Sequence, residues 1–184
     1  MISQRKGPEF QLDTFGEACS LVSILFSCLG LAFKLAEPQY VANERDLLEA
    51  SKGFENLENI HDEDVANDTA KTPGSHSRNL RRVRQSLDLI RALFEEFLAN
   101  DELSLKDVAS TAYGQVCAPY HSWALRTAVY AGMCTIPSRD QLLLRLNETD
   151  HTAEKKMRRY INTSPVVGDY IDQLHASGNI SLDW

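Results

Sequence analysis

A chain of 184 residues, 43% of them hydrophobic and 24% charged, has the length of one domain and enough apolar content to bury a core, which excludes a disordered tail. Its formal charge of −7, from 26 acids against 19 Lys and Arg, argues against a general nucleic-acid binder and against a protein held on anionic membrane by bulk charge. With 9 Gly and 6 Pro, hairpin-rich and collagen-like architectures are also disfavoured.

Residues 1–10 are polar and basic with no apolar stretch directly behind them, a poor signal peptide, and read as a mobile tail before a single domain over 11–184. From Ala18 to Phe33 sixteen residues carry no charge. That run is shorter than the ~20 residues a spanning helix needs. Ser20, Ser23 and Ser27 recur in it at helical spacing and Gly30 interrupts it, so it predicts a buried helix or a wall of an internal space. The four cysteines, Cys19, Cys28, Cys117 and Cys134, show no metal-binding spacing, and a reducing compartment suits them better than a disulfide scaffold.

Start and stop signals are helical almost throughout. Ser104 with Asp107 and Ser138 with Gln141 predict N-terminal caps, Ser164-Pro165 a further helix start, and Gly178 a helix stop. The pattern places helices near 12–29, 31–50, 54–68, 76–99, 104–134, 139–147, 150–162 and 165–176. Strand-like alternation is nowhere sustained, so the fold class is all-α.

In the fourth of these helices Leu80, Val83, Leu87, Ile90, Phe94 and Phe97 share one arc of about 100°. Arg81, Arg84, Asp88 and Glu95 fall opposite, where solvated charges are expected. Arg78 and Arg82 stand one turn apart at the apolar margin, and Leu89 and Leu93 continue their strip. Such a strip suits a ligand with an anionic head and a hydrocarbon tail; its plainer reading is a pair of arginines snorkelling over the core. Further on, Pro119 should kink the fifth helix. His121 could donate to a carbonyl or phosphate oxygen, or serve only structure. Cys117 and His121 have the spacing of a thiolate–imidazole pair, but no oxyanion-hole loop or orienting acid accompanies them.

Taken together, Ala18-Cys19-Ser20-Leu21-Val22-Ser23, Leu29-Gly30-Leu31-Ala32-Phe33-Lys34, Gly74-Ser75-His76-Ser77-Arg78-Asn79-Leu80, Ala118-Pro119-Tyr120-His121-Ser122-Trp123 and Leu182-Asp183-Trp184 resemble the glycolipid transfer protein superfamily. The similarity spans roughly residues 12–184 and is greatest to its plant accelerated-cell-death branch, which carries ceramide-1-phosphate. The resemblance implies a two-layer sandwich of about eight helices that takes a sphingolipid's chains between the layers. It implies binding and intermembrane transfer of sphingolipids in the cytosol, with transient peripheral contact with membranes. No enzymatic activity, cofactor, metal or nucleic acid is implied. The alternative is a family member with weakened transfer, acting as a lipid sensor or protein-interaction module in cell-death control.

By the same resemblance, Arg78 and Arg82 match the arginines that hold the lipid phosphate, and His121 the histidine that bonds the ceramide amide carbonyl. Trp123 matches a tryptophan at the membrane-contacting surface. Gln39 and Asn43 complete the head-group set but depart from it. Gln39 stands where the family has the Asp that accepts the sphingosine amide N–H. Asn43 stands where the phosphate branch has Lys and the glycolipid branch Asn. The expected site is therefore a hybrid, phosphate-preferring through its arginines and neutral at positions 39 and 43.

Overall fold

The computed structural model describes residues 10–180. The predicted tail (residues 1–9 of it) and the Leu182-Asp183-Trp184 motif lie outside the described residues. Phe10, the last tail residue, packs its ring on Tyr170 at 5.0 Å, and Gln11 bridges to Asn56.

Eight α-helices are present among the described residues: α1 (Leu12–Cys28), α2 (Leu31–Ala50), α3 (Leu57–Ala66), α4 (His76–Ala99), α5 (Leu105–Val116), α6 (Trp123–Gly132), α7 (Arg139–Arg145) and α8 (Asp150–Ser177). They pack as two layers: α1 and α6 flank α2, α5 and α8 flank α4, and α2 lies on α4 across the interface. α1 follows its apolar spacing directly, burying Leu12, Phe15, Cys19, Val22 and Phe26. Its serines are satisfied within the helix: Ser20, Ser23 and Ser27 donate to the carbonyls of Glu17, Ser20 and Ile24. Gly30, at φ +95°, then turns the chain into α2. Two distant side chains close this corner: Thr135 Oγ1 accepts from Leu31 N at 2.9 Å, and Arg145 Nη1 donates to Cys28 O at 2.8 Å. Among the described residues no helix is long and apolar enough to cross a membrane.

Several local expectations are met. Ser104 accepts from Asp107 N, Ser138 and Gln141 form a reciprocal capping box, and α8 stops at Gly178. Three others are corrected. The 104–134 helix is not merely kinked: α5 ends at Val116, a 3-10 turn spans Ala118–Tyr120, and α6 restarts at Trp123. Pro119 has no N–H to continue α5, and Ser122 begins a new helix by accepting from Leu125 N. Ser164-Pro165 is not a helix start, because α8 runs continuously through both. Packing on α4 holds α8 on either side of the proline: Tyr160 donates to Leu87 O at 3.0 Å, and Asp172 pairs with Arg84 at 2.7 Å. The third helix begins at Leu57 rather than 54, capped by Asn56 accepting from Asn59 N.

The fourth correction concerns α4. Its apolar arc is buried as expected except Leu87, which is half-buried, but Arg81 is only 7% exposed and Arg84 bridges Asp88 and Asp172. Neither is a solvated charge, because α4 is covered by α2, α3, α5 and α8 together. A helical wheel describes one buried face; a central helix has several.

Candidate functional site

A cavity of about 650 Å³ lies between the layers. Gln39, Asn43, Arg78, Arg82 and His121, drawn from three separate stretches of sequence, all line it. Beyond this polar end the walls are Phe26, Phe33, Leu89, Val129 and Met133, so one space joins a cationic end to an apolar one. Leu93, expected to continue the arginine strip, is buried in the core instead of lining the cavity.

α4 supplies the cations from consecutive turns. Ser75 caps its first turn by accepting from Arg78 N, and Arg78 Nη1 donates to Lys71 O at 2.8 Å, tying the guanidinium to the loop before the helix. Arg82 Nη1 reaches Gln85 Oε1 at 3.4 Å, and Gln85 Nε2 in turn holds Val116 O at 3.3 Å. Burial lowers the Arg82 pKa, and the neighbouring Arg78 and Arg81 cations lower it further. A guanidinium nevertheless stays charged at any physiological pH. Two crowded cations in a partly dry site favour an anion between them.

α2 supplies the neutral members. It runs unbroken through Pro38, and Gln39 and Asn43 face the cavity one turn apart, with Gln39 Nε2 donating to Asn43 Oδ1 at 2.8 Å. Gln39 is exposed and Asn43 buried, so the pair runs from the cavity mouth inward.

His121 is not on a helix. It is the extended residue between the 3-10 turn and the cap of α6, a position created by the chain break at Pro119. Its Nδ1 lies 2.8 Å from the Tyr113 hydroxyl. Burial, then the Arg82 charge, lowers the His121 pKa, so the imidazole is neutral at pH 7. Burial pushes Tyr113 up to about 12, keeping its proton in place. Burial also pushes the Cys117 thiol up to about 12, so it is no thiolate, and His121 is engaged with Tyr113 instead. The structure thus agrees with the reading that set the thiolate–imidazole pairing aside.

Trp123 opens α6 and is 75% exposed. Leu35, Tyr120 and Leu125 both line the cavity and stand exposed, which puts them at its mouth. Tyr113, Gln85 and Asn79 also line the cavity, and sequence reasoning missed them. Gln85 follows Arg82 by one turn and was legible by spacing; Tyr113 was not, because the break after Cys117 erases helical register to His121.

Residues 10–148 match the family model described as glycolipid transfer protein. The chain is 65% identical over 176 residues to the ACD11 homolog protein of Arabidopsis thaliana, covering 96% of this chain and 77% of that one. It is 43% identical over 185 residues to Arabidopsis thaliana accelerated cell death 11, covering 100% of this chain and 90% of the relative. A crystal structure of an Asp-to-Asn variant of Arabidopsis accelerated-cell-death 11, complexed with C12 ceramide-1-phosphate, superposes with a TM-score of 0.94 at 43% identity, over 98% of this chain and 90% of that one. Helical layers, a cavity cationic at one end and apolar at the other, and identity sustained along the whole chain agree: this protein belongs to the glycolipid transfer protein family.

Proposed function

We propose that this protein binds a sphingolipid bearing a phosphate head group, of the ceramide-1-phosphate kind, and carries it between membranes without making or breaking a bond. The observation that carries this reading is the single cavity in which Arg78 and Arg82 meet an apolar interior. Arg78 and Arg82 would hold the phosphate by charge-assisted hydrogen bonds. With Tyr113 donating to Nδ1, the neutral His121 keeps its proton on Nε2 and offers it to the lipid carbonyl. Asn43 and Gln39 present amide groups beside it. The ceramide-1-phosphate held in the Arabidopsis relative supports the same ligand class.

The rest of the cycle belongs to the same proposal. A single domain over 11–184 works in the cytosol and touches membranes peripherally. Trp123, with exposed Leu35, Tyr120 and Leu125 beside the cavity mouth, supplies amphipathic and apolar groups suited to a bilayer interface. The lipid then passes between mouth and interior without crossing water.

The test is vesicle-to-vesicle transfer of ceramide-1-phosphate, with mass spectrometry of lipids that copurify. Accelerated exchange and a retained two-chain phosphorylated lipid are expected. A protein folded by circular dichroism that extracts no sphingolipid would favour the interaction-module alternative, for which the neutral Gln39–Asn43 pair is the structural motive.

A further inference from the structure

We infer that the head-group site selects a lipid phosphate but not an amide backbone, so that a diacylglycerol phosphate is a ligand alongside ceramide-1-phosphate. The inference rests on the lipid-transfer reading and follows from the donors and acceptors around the cavity. Arg78, Arg82, His121 and the amide of Asn43 give the polar end many hydrogen-bond donors. Among the described residues that line the cavity there is no carboxylate. Asp46 lies close by, but it does not line the space and its Oδ2 already accepts from His76 Nδ1 and Asn79 Nδ2, both at 2.8 Å.

A sphingoid backbone and a diacylglycerol backbone differ in one relevant respect here: the first has an amide N–H to satisfy, the second only ester oxygens. Both carry a carbonyl for His121 and a phosphate monoester for the arginines. Selecting the amide needs an acceptor aimed at its N–H, strongest when charged. Gln39 and Asn43 are the neutral candidates, and their mutual hydrogen bond already engages one of their two carbonyl oxygens. In either orientation of the two amides this count is the same. The donors are thus kept for what the two lipid classes share, and little is left to tell them apart. Net charge gives the same answer, since two guanidiniums without a lining carboxylate favour the more anionic head group over a neutral one.

The experiment compares transfer of chain-matched ceramide-1-phosphate, diacylglycerol phosphate and neutral diacylglycerol between phosphatidylcholine vesicles by the full chain. The two phosphate lipids should move at rates within about threefold of each other, with the neutral lipid far behind. Gln39→Asp should then raise the preference for ceramide-1-phosphate over diacylglycerol phosphate about fivefold, the difference between a charge-assisted bond and the neutral one it replaces, gained by one ligand only. Continued transfer of diacylglycerol phosphate by the variant reports that it is folded. Transfer of ceramide-1-phosphate without diacylglycerol phosphate by the parent would overturn this inference and leave the proposed function standing. An unchanged preference in Gln39→Asp would also overturn it, by putting backbone selection elsewhere. Transfer of neither phosphate lipid would remove both readings together.

Discussion

Tyr113 Oη and His121 Nδ1 lie 2.8 Å apart, joining the last turns of α5 to the extended residue that follows the 3-10 turn. When the hydroxyl donates to Nδ1, a neutral imidazole carries its proton on Nε2, the donor that the proposed function assigns to the lipid carbonyl. Tyr113→Phe keeps the ring and removes only that hydroxyl. Transfer of ceramide-1-phosphate should fall about fivefold, the worth of about 1 kcal/mol, while thermal stability changes little. Unaltered transfer by Tyr113→Phe would show that His121 is oriented by its backbone alone.

Arg82→Leu should weaken phosphorylated lipids by about 1.5–3 kcal/mol, about ten- to over a hundredfold in affinity. Binding of a neutral lipid to the same variant should change little. Arg81 is unsuitable as the control because it is buried. Arg158, 62% exposed and paired with Glu154 one turn away on α8, is suitable. Arg158→Leu should leave affinity as it was, and equal losses in the two variants would reduce Arg82 to a surface cation.

His61 is 1% exposed, and among the described residues neither ring nitrogen has a hydrogen-bond partner. Asp62 lies 3.7 Å from its Nδ1, and the His175 ring stands 5.3 Å away. Burial, then His175, lowers the His61 pKa against the opposing pull of Asp62 and Asp64. A depressed histidine pKa means the unfolded chain binds a proton that the folded one refuses. Stability is therefore full above about 6.5 and declines as pH falls from there toward the folded-state value. Thermal melts should show a lower Tm at pH 5.5 than at pH 7.5, and His61→Leu should flatten that dependence. His121, shifted the same way, would retain part of it. An identical pH profile in His61→Leu would remove His61 as a source.

Gly30 is the tightest point of the α1–α2 corner. Its φ is +95°, and a Cβ there would stand 2.7 Å from Thr135 O. Gly30→Ala combines left-handed strain with a backbone clash, so a loss of about 1–3 kcal/mol is expected in urea unfolding. Gly74→Ala also meets a positive φ, +89°, but finds no atom within 4 Å, and should cost less. Equal losses would assign the effect to φ strain alone.

Much of this protein was written locally in the sequence. The all-α class follows from apolar spacing such as Leu12, Phe15, Cys19, Val22 and Phe26, which reports helix burial without reference to any partner. Caps at Ser104 and Ser138 depend on residues three apart, so they too were legible. The residues that line the polar end of the cavity were legible as a family pattern, and the strip from Arg78 to Leu89 as helical spacing.

Tertiary structure decided what local rules could not weigh. Pro119 and Pro165 have the same covalent restriction, yet one ends a helix and the other is carried within one. The difference is the packing of Tyr160 and Asp172 against α4 around Pro165, and a competing Ser122 cap beyond Pro119. Arg81 and Arg84 looked solvated because a wheel has one inside, whereas α4 is covered on several sides. Above all, the joining of Gln39, Arg82 and His121 around one cavity depends on α2 lying across α4 and on the break before α6. Side-chain spacing is set by helix geometry within a segment, but convergence between segments is set by how their buried faces pack.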